Sequence, residues 1–134
     1  MNMNKYTIKA QEAVQEAVKR AERQGQQAIE PEHLLSGILQ AAEEVTRFIF
    51  QKLGLNPTTV QQAVDAQIGS LPKVQGGQPY LSQQSSQVLQ KAEDLAQQGG
   101  DEYVSVEHLL MAIADVQCTA GKMLKDMGLT QEEL

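Results

Sequence analysis

Apolar residues along this 134-residue chain fall at helical spacing, in short blocks that glycine or proline interrupts. After Thr7, the residues Ala10, Val14, Ala17, Val18 and Ala21 return every three or four positions and predict one buried helix face. Thr7 is placed to cap that helix, because its hydroxyl can accept an otherwise unpaired first-turn N–H. Gly25 ends it, and Pro31 opens a second helix that buries Leu34, Leu35, Ile38 and Leu39. The pattern predicts a third helix over 43–53 with Val45, Phe48, Ile49 and Leu53 inward. A fourth follows Asn56-Pro57 and buries Val60, Val64 and Ile68.

The same plan then recurs. Glu32-His33-Leu34-Leu35 returns as Glu107-His108-Leu109-Leu110, a shift of 75 positions (33 to 108). Thr7 matches Ser82 at that shift, Gly25 matches Gly100, and Ala13, Val14, Ala17 and Ala21 match Val88, Leu89, Ala92 and Ala96. Capping, apolar and breaker positions all keep step, which predicts one helical unit used twice with pseudo-twofold packing. Repeat one covers 6–68 and repeat two 81–134. Between them, 69–80 holds Pro72, Gly76, Gly77 and Pro79 and reads as a linker crossing the surface. In repeat two, Ser82 and Ser105 cap helices, and Thr119 is expected to cap a short one carrying Met123, Leu124 and Met127. Thr130-Gln131-Glu132-Glu133 forms a capping box, with Leu129 and Leu134 as its hydrophobic staple. The last helix of repeat two therefore stops one turn in, and the expectation is a piece of a longer protein. The fold class is all-α: two pseudo-symmetric four-helix repeats packed as one domain.

Composition narrows the function. Aromatic residues make up 4% with no Trp, so the core is Ala, Leu, Val and Ile, which suits closely packed helices. The formal charge of -6 disfavours a phosphate backbone as partner. The lone Cys118 has no internal disulfide partner. No stretch approaches the ~20 apolar residues of a membrane span. The expectations are no nucleic acid, no membrane, and a cytoplasmic location.

Catalytic chemistry finds little to stand on. Gly76-Gly77 lacks the Lys and Ser/Thr of a phosphate loop. His33 and His108 each sit in the first turn of a helix, where the positive end of the dipole disfavours imidazolium, so they read as neutral packing groups. No metal set and no catalytic residue is assigned, and Cys118 reads as a small apolar residue.

The candidate site is a surface instead. Glu32 and Glu107 lie in first turns, where a carboxylate contributes roughly 0.3–1 kcal/mol through the dipole. That alone accounts for them. Alternatively, each faces a notch between its helix and the preceding one, beside Thr7 or Ser82, able to receive a guanidinium or ammonium. Asp101 adds charge near the second notch. Leu95 stands where repeat one has Arg20 (20 to 95), a position expected to be solvated, so Leu95 is expected at the surface. With Tyr103 it would form an exposed apolar patch. The polypeptide-binding candidates are Thr7, Leu95, Asp101, Tyr103 and Glu107, with Glu32 and Ser82 at a possible second pocket.

Several segments carry a resemblance. Gln27-Ala28-Ile29-Glu30-Pro31-Glu32-His33-Leu34-Leu35, Leu53-Gly54-Leu55-Asn56, Leu71-Pro72-Lys73-Val74 and Tyr103-Val104-Ser105-Val106-Glu107-His108-Leu109-Leu110 resemble the Clp N-terminal domain, over nearly the whole chain. The resemblance leans toward the disaggregase branch. It implies a full-length homohexameric AAA+ ATPase, using ATP and Mg in modules absent here, that threads polypeptide through a pore. This domain, a monomer as a fragment, would engage unfolded or aggregated proteins and adaptor proteins at the pore entrance. In that branch, positions matching Thr7, Asp101 and Glu107 are linked to substrate engagement, beside an apolar groove into which Leu95 falls. In the protease-partner branch, positions matching Glu32 and Glu107 line pockets for phosphorylated arginine, and the resemblance to that branch implies an adaptor-docking or phosphoarginine-reading domain as the alternative. One departure is Lys91, at a place often apolar in the disaggregase branch.

Overall fold

Ala10, Ala13, Ala17 and Ala21 form a stripe with almost no side-chain volume, and it lets two helices close until their backbones nearly touch. In the computed structural model, which describes residues 2–74 and 76–129, that stripe belongs to α1 (Ile8–Arg23) and meets α2 (Pro31–Ala41). The closest approach is at Gly37: a Cβ there would lie 2.0 Å from the carbonyl oxygen of Ala13. Three more helices complete the described part of the first repeat and begin the second: α3 (Glu43–Lys52), α4 (Pro57–Gly69) and α5 (Gln83–Gln98). Then come α6 (Val106–Asp115) and α7 (Thr119–Asp126). The capping box of 130–134 and its staple to Leu134 lie outside the described residues.

The predicted caps on α1, α4, α5 and α6 are present. Thr7 Oγ1 accepts the Ala10 N–H at 3.1 Å, and Ser82 Oγ accepts the Ser85 N–H at 3.1 Å. Asn56 Oδ1 takes the Thr58 N–H at 2.9 Å. At α7 the cap is Cys118 rather than Thr119: its Sγ accepts the Gly121 N–H at 3.3 Å, and Thr119 is the first helical residue. Gly121 is pressed against the end of α6, where a Cβ would come within 2.3 Å of the Ile113 carbonyl oxygen. This close packing leaves the small thiol inside, and burial pushes its pKa up.

α3 turns a different face inward from the predicted one. Phe50 and Thr46 are buried, Ile49 and Leu53 are half-buried, and Val45 and Phe48 are exposed, Phe48 by 68%. Phe48, Ile49 and Phe50 are consecutive, so apolar spacing alone does not choose among the faces. The choice is made by the abrupt junction at Ala42, which closes α2 and opens α3. There Thr46 Oγ1 donates to the Ala42 carbonyl at 3.0 Å, holding that side toward α2.

Two short strands were not predicted. β1 (Ala28–Ile29) pairs in parallel with β2 (Tyr80–Leu81), and Tyr6 forms a parallel bridge to Val104. These two pairings are one pairing seen twice. The Ser82 N–H donates to the Ile29 carbonyl at 3.1 Å, and at the repeat shift (7 to 82, 29 to 104) the Thr7 N–H donates to the Val104 carbonyl at 2.9 Å. The residues leading into the first helix of each repeat are thus bonded to those leading into the second helix of the other. The repeats are interlocked through their backbones, and the apolar faces of all seven described helices feed one buried cluster.

Candidate functional site

The interlocked strands place a notch on each repeat, where the turn after the first helix meets the chain leading into the other repeat. The second notch is an open hollow of about 570 Å³. Lys5 on the N-terminal segment, Glu93 and Gln97 on α5, and Asp101, Glu102 and Tyr103 in the turn before α6 line it. Tyr103 is 48% exposed and supplies an apolar ring beside three carboxylates.

Asp101 is fixed in place by His108. The His108 Nδ1 accepts the Ser105 N–H at 3.0 Å, so its proton sits on Nε2, which donates to Asp101 Oδ2 at 3.0 Å. Ser105 Oγ also lies 3.0 Å from Nδ1, so Ser105, His108 and Asp101 stand in line. The line is a helix cap, not a nucleophile relay. The Nδ1 lone pair that would take the hydroxyl proton is already engaged by the Ser105 backbone, and repeat one builds the same cap with Glu30, where there is no hydroxyl.

The corresponding group in repeat one is sealed. His33 Nδ1 accepts the Glu30 N–H at 2.9 Å, and its Nε2 donates to Gln26 Oε1 at 2.7 Å. His33 is fully buried, and burial, aided by the Arg20 charge, lowers its pKa to about 4. The expected neutral histidine is present here, with burial as the main cause rather than the helix dipole. Over this group lie the end of α4 and the start of the linker. Gln26 Nε2 donates to the carbonyls of Ile68 (2.7 Å) and Leu71 (3.3 Å), and the Val74 N–H donates to the Gly25 carbonyl at 2.9 Å.

The structure gathers only part of the expected site. Asp101 and Tyr103 share the open notch. Thr7 and Ser82 are spent as helix caps and as cross-repeat donors. Glu107 is exposed in the first turn of α6 but does not line the hollow. Leu95, expected at the surface, is buried, with 8% of its area exposed. The subtraction that placed it outside assumed a solvated Arg20. Instead Arg20 leans inward, its guanidinium donating to Ser36 Oγ at 3.0 Å and to Asp65 Oδ1 at 3.2 Å. A long stem lying over the core occupies the same place as a leucine. Glu32, expected to face an open notch, is 6% exposed, and burial raises its pKa. Lys91 reaches Asp115 at 3.2 Å across the α5–α6 surface.

Lys5, Glu93, Gln97 and Glu102 were missed. The signal was available: Gln97, Asp101 and Glu102 are the counterparts of Glu22, Gln26 and Gln27 (22 to 97, 26 to 101, 27 to 102), which line the first notch. Among the described residues no three His, Cys, Asp or Glu side chains converge as a metal set, and no helix is long and apolar enough to cross a membrane.

Comparison with known proteins places this geometry. The model of the Clp repeat (R) N-terminal domain matches residues 5–127, and the chain belongs to that family. The chaperone protein ClpB of Bacteroides thetaiotaomicron is 56% identical over 134 residues, which is 100% of this chain and 16% of that protein. The ClpB of Porphyromonas gingivalis is 52% identical with the same coverage. The chain therefore corresponds to the N-terminal domain of ClpB-type chaperones and spans about 16% of the length of these relatives. The Hsp104 N-terminal domain from Candida albicans shares the fold, with a TM-score of 0.81 at 22% identity, covering 97% of this chain and 86% of that one.

Proposed function

We propose that this domain recognises loose polypeptide for an ATP-driven ClpB-type disaggregase in the cytoplasm. The observation that carries the proposal is the open notch, which sets an exposed Tyr103 ring beside Glu93, Asp101 and Glu102 on a domain of this family. An extended segment would lay an apolar side chain on Tyr103 and a basic one against the carboxylates. Folded proteins keep such segments packed away, so the notch selects unfolded or aggregated chains. Adaptor proteins that carry such a segment would dock at the same place. ATP and Mg would be handled by the remaining modules of the full-length protein, a homohexamer.

Each site is shallow, and most of the contact energy is spent ordering a flexible ligand, so single-site affinity is low. Six copies around a ring would restore it by avidity while still allowing release to the pore. The structure lends less support to an adaptor- or phosphoarginine-reading domain with two matching pockets, because Glu32 is buried while Glu107 is exposed. Titration with a permanently unfolded protein, and separately with a phosphoarginine peptide, tests the proposal. Saturable binding of the unfolded protein without preference for phosphoarginine supports it; binding of the phosphoarginine peptide alone contradicts it.

A further inference from the structure

α3 carries an apolar stripe that the fold does not use. Phe48 is 68% exposed and Val45 39%, and Ile49 beside them is half-buried. The second repeat shows that the fold does not require them. At the shift that aligns the ends of the two helices (53 to 127), α7 keeps the buried positions, with Leu124 for Phe50 and Ala120 for Thr46 (50 to 124, 46 to 120). On the outer face it has Thr119 for Val45 and Lys122 for Phe48 (45 to 119, 48 to 122). Lys122 is 79% exposed, and its Nζ donates to Asp126 Oδ2 at 2.9 Å. One repeat shows water a satisfied charge pair, and the other shows it a phenylalanine ring.

The charges around Phe48 are left open in a symmetric pattern. Glu44 and Lys52 are both exposed, and among the described residues neither takes part in an ion pair. Arg47, a neighbouring cation, is bonded to Glu43. Glu44 and Lys52 stand about 12 Å apart along the helix axis, beyond the three or four positions over which side chains on one helix pair. Phe48 lies midway, four positions from each (44, 48, 52), so acid, ring and base share one face. A twofold axis through Phe48 sets Glu44 of each copy against Lys52 of the other. The two rings then meet between the ion pairs, with Val45 and Ile49 alongside.

We propose that this face of α3 is a weak contact between two copies of this chain, packed antiparallel about Phe48. By symmetry a second copy carries the complementary charges at the required spacing, which an arbitrary polypeptide does not. The contact is small, so dilute chains stay single and pairing needs about millimolar concentration. Tethering in the homohexamer proposed above would supply that concentration. The inference does not depend on what the open notch binds.

Sedimentation equilibrium and amide shifts of the whole chain, followed from about 20 µM to about 2 mM at low salt, test it. The wild-type chain is expected to show concentration-dependent shifts at Val45, Phe48 and Lys52 and an average mass rising toward that of a dimer. Phe48→Ser is expected to abolish both. Glu44→Lys and Lys52→Glu each set like charges together and are expected to weaken self-association at least about fivefold. Mixing those two variants in equal amounts sets every acid against a base and is expected to restore it. If lysine in the first turn unfolds α3, the salt response of Lys52→Glu serves: added salt should weaken pairing of the wild type and strengthen that of the variant. A wild-type chain without concentration dependence, or a mixture that associates no more than its parts, overturns the proposal. So does association that Phe48→Ser leaves intact. Shifts at α3 produced instead by an unfolded protein in dilute solution would assign the face to clients and overturn it as well.

Discussion

His33 Nε2 lies 2.7 Å from Gln26 Oε1 in the sealed interior of repeat one, and the same bond in repeat two reaches an exposed carboxylate instead. The buried version makes stability depend on pH. The His33 pKa falls to about 4 in the folded chain from an ordinary value near 6.5, so the unfolded chain binds its proton first as pH drops. His33 therefore contributes stability that is complete above about pH 6.5 and is lost as pH falls toward 4, up to about 3 kcal/mol. Urea midpoints measured across that range should decline toward acid. A His33→Gln variant should lack that part of the slope.

Glu32 acts in the opposite direction. Its raised pKa means that the folded chain holds the carboxyl proton more tightly than the unfolded one, so the ionised form opposes folding at neutral pH. Glu32→Gln should raise Tm at pH 7, and the gain should shrink as pH falls through the carboxylate range. A loss of stability at pH 7 would show that the first-turn dipole outweighs burial.

A surface position for Leu95, as the sequence predicts, would let Leu95→Glu spare the fold. With Leu95 buried it should instead destabilise severely, because a carboxylate is forced into an apolar interior. Leu95→Ala should cost about 2–5 kcal/mol by denaturant unfolding. A native-like midpoint for either would place this side chain outside the core.

The two phenylalanines of α3 separate its faces. Phe50→Ala should cost about 3–5 kcal/mol, while Phe48→Ser should change stability by no more than about 0.5 kcal/mol. Equal effects would mean that the helix is rotated from the orientation described.

The duplicated pattern made the fold legible, because caps, breakers and apolar faces repeat at one shift and each has a local physical cause. Thr7, Ser82 and Ser105 all cap helices as read. What escaped was non-local. The strand pairing Ile29–Leu81 and its partner Tyr6–Val104 join segments of opposite repeats, and two-residue strands carry no periodicity to detect. Leu95 was misplaced because Arg20 was judged by its charge, whereas its stem and its bond to Asp65 decide where it lies. Asp101 and Tyr103 were found from charge and exposure. Glu102 could have been found from its counterpart Gln27, whereas Lys5 reaches the hollow through the pairing of the N-terminal segment with Val104, a contact between distant parts of the chain.

The central claim is that loose polypeptide docks in the open notch that Tyr103 and Asp101 line. Amide shifts of the labelled chain titrated with a permanently unfolded protein test it directly. The account predicts a cluster of perturbations at Lys5, Gly100, Asp101, Tyr103 and Val104, with Gly25, Gln26 and Gln27 unmoved beneath the linker. Perturbations centred on Gly25 to Gln27, or on the exposed Val45 and Phe48 of α3, would contradict it.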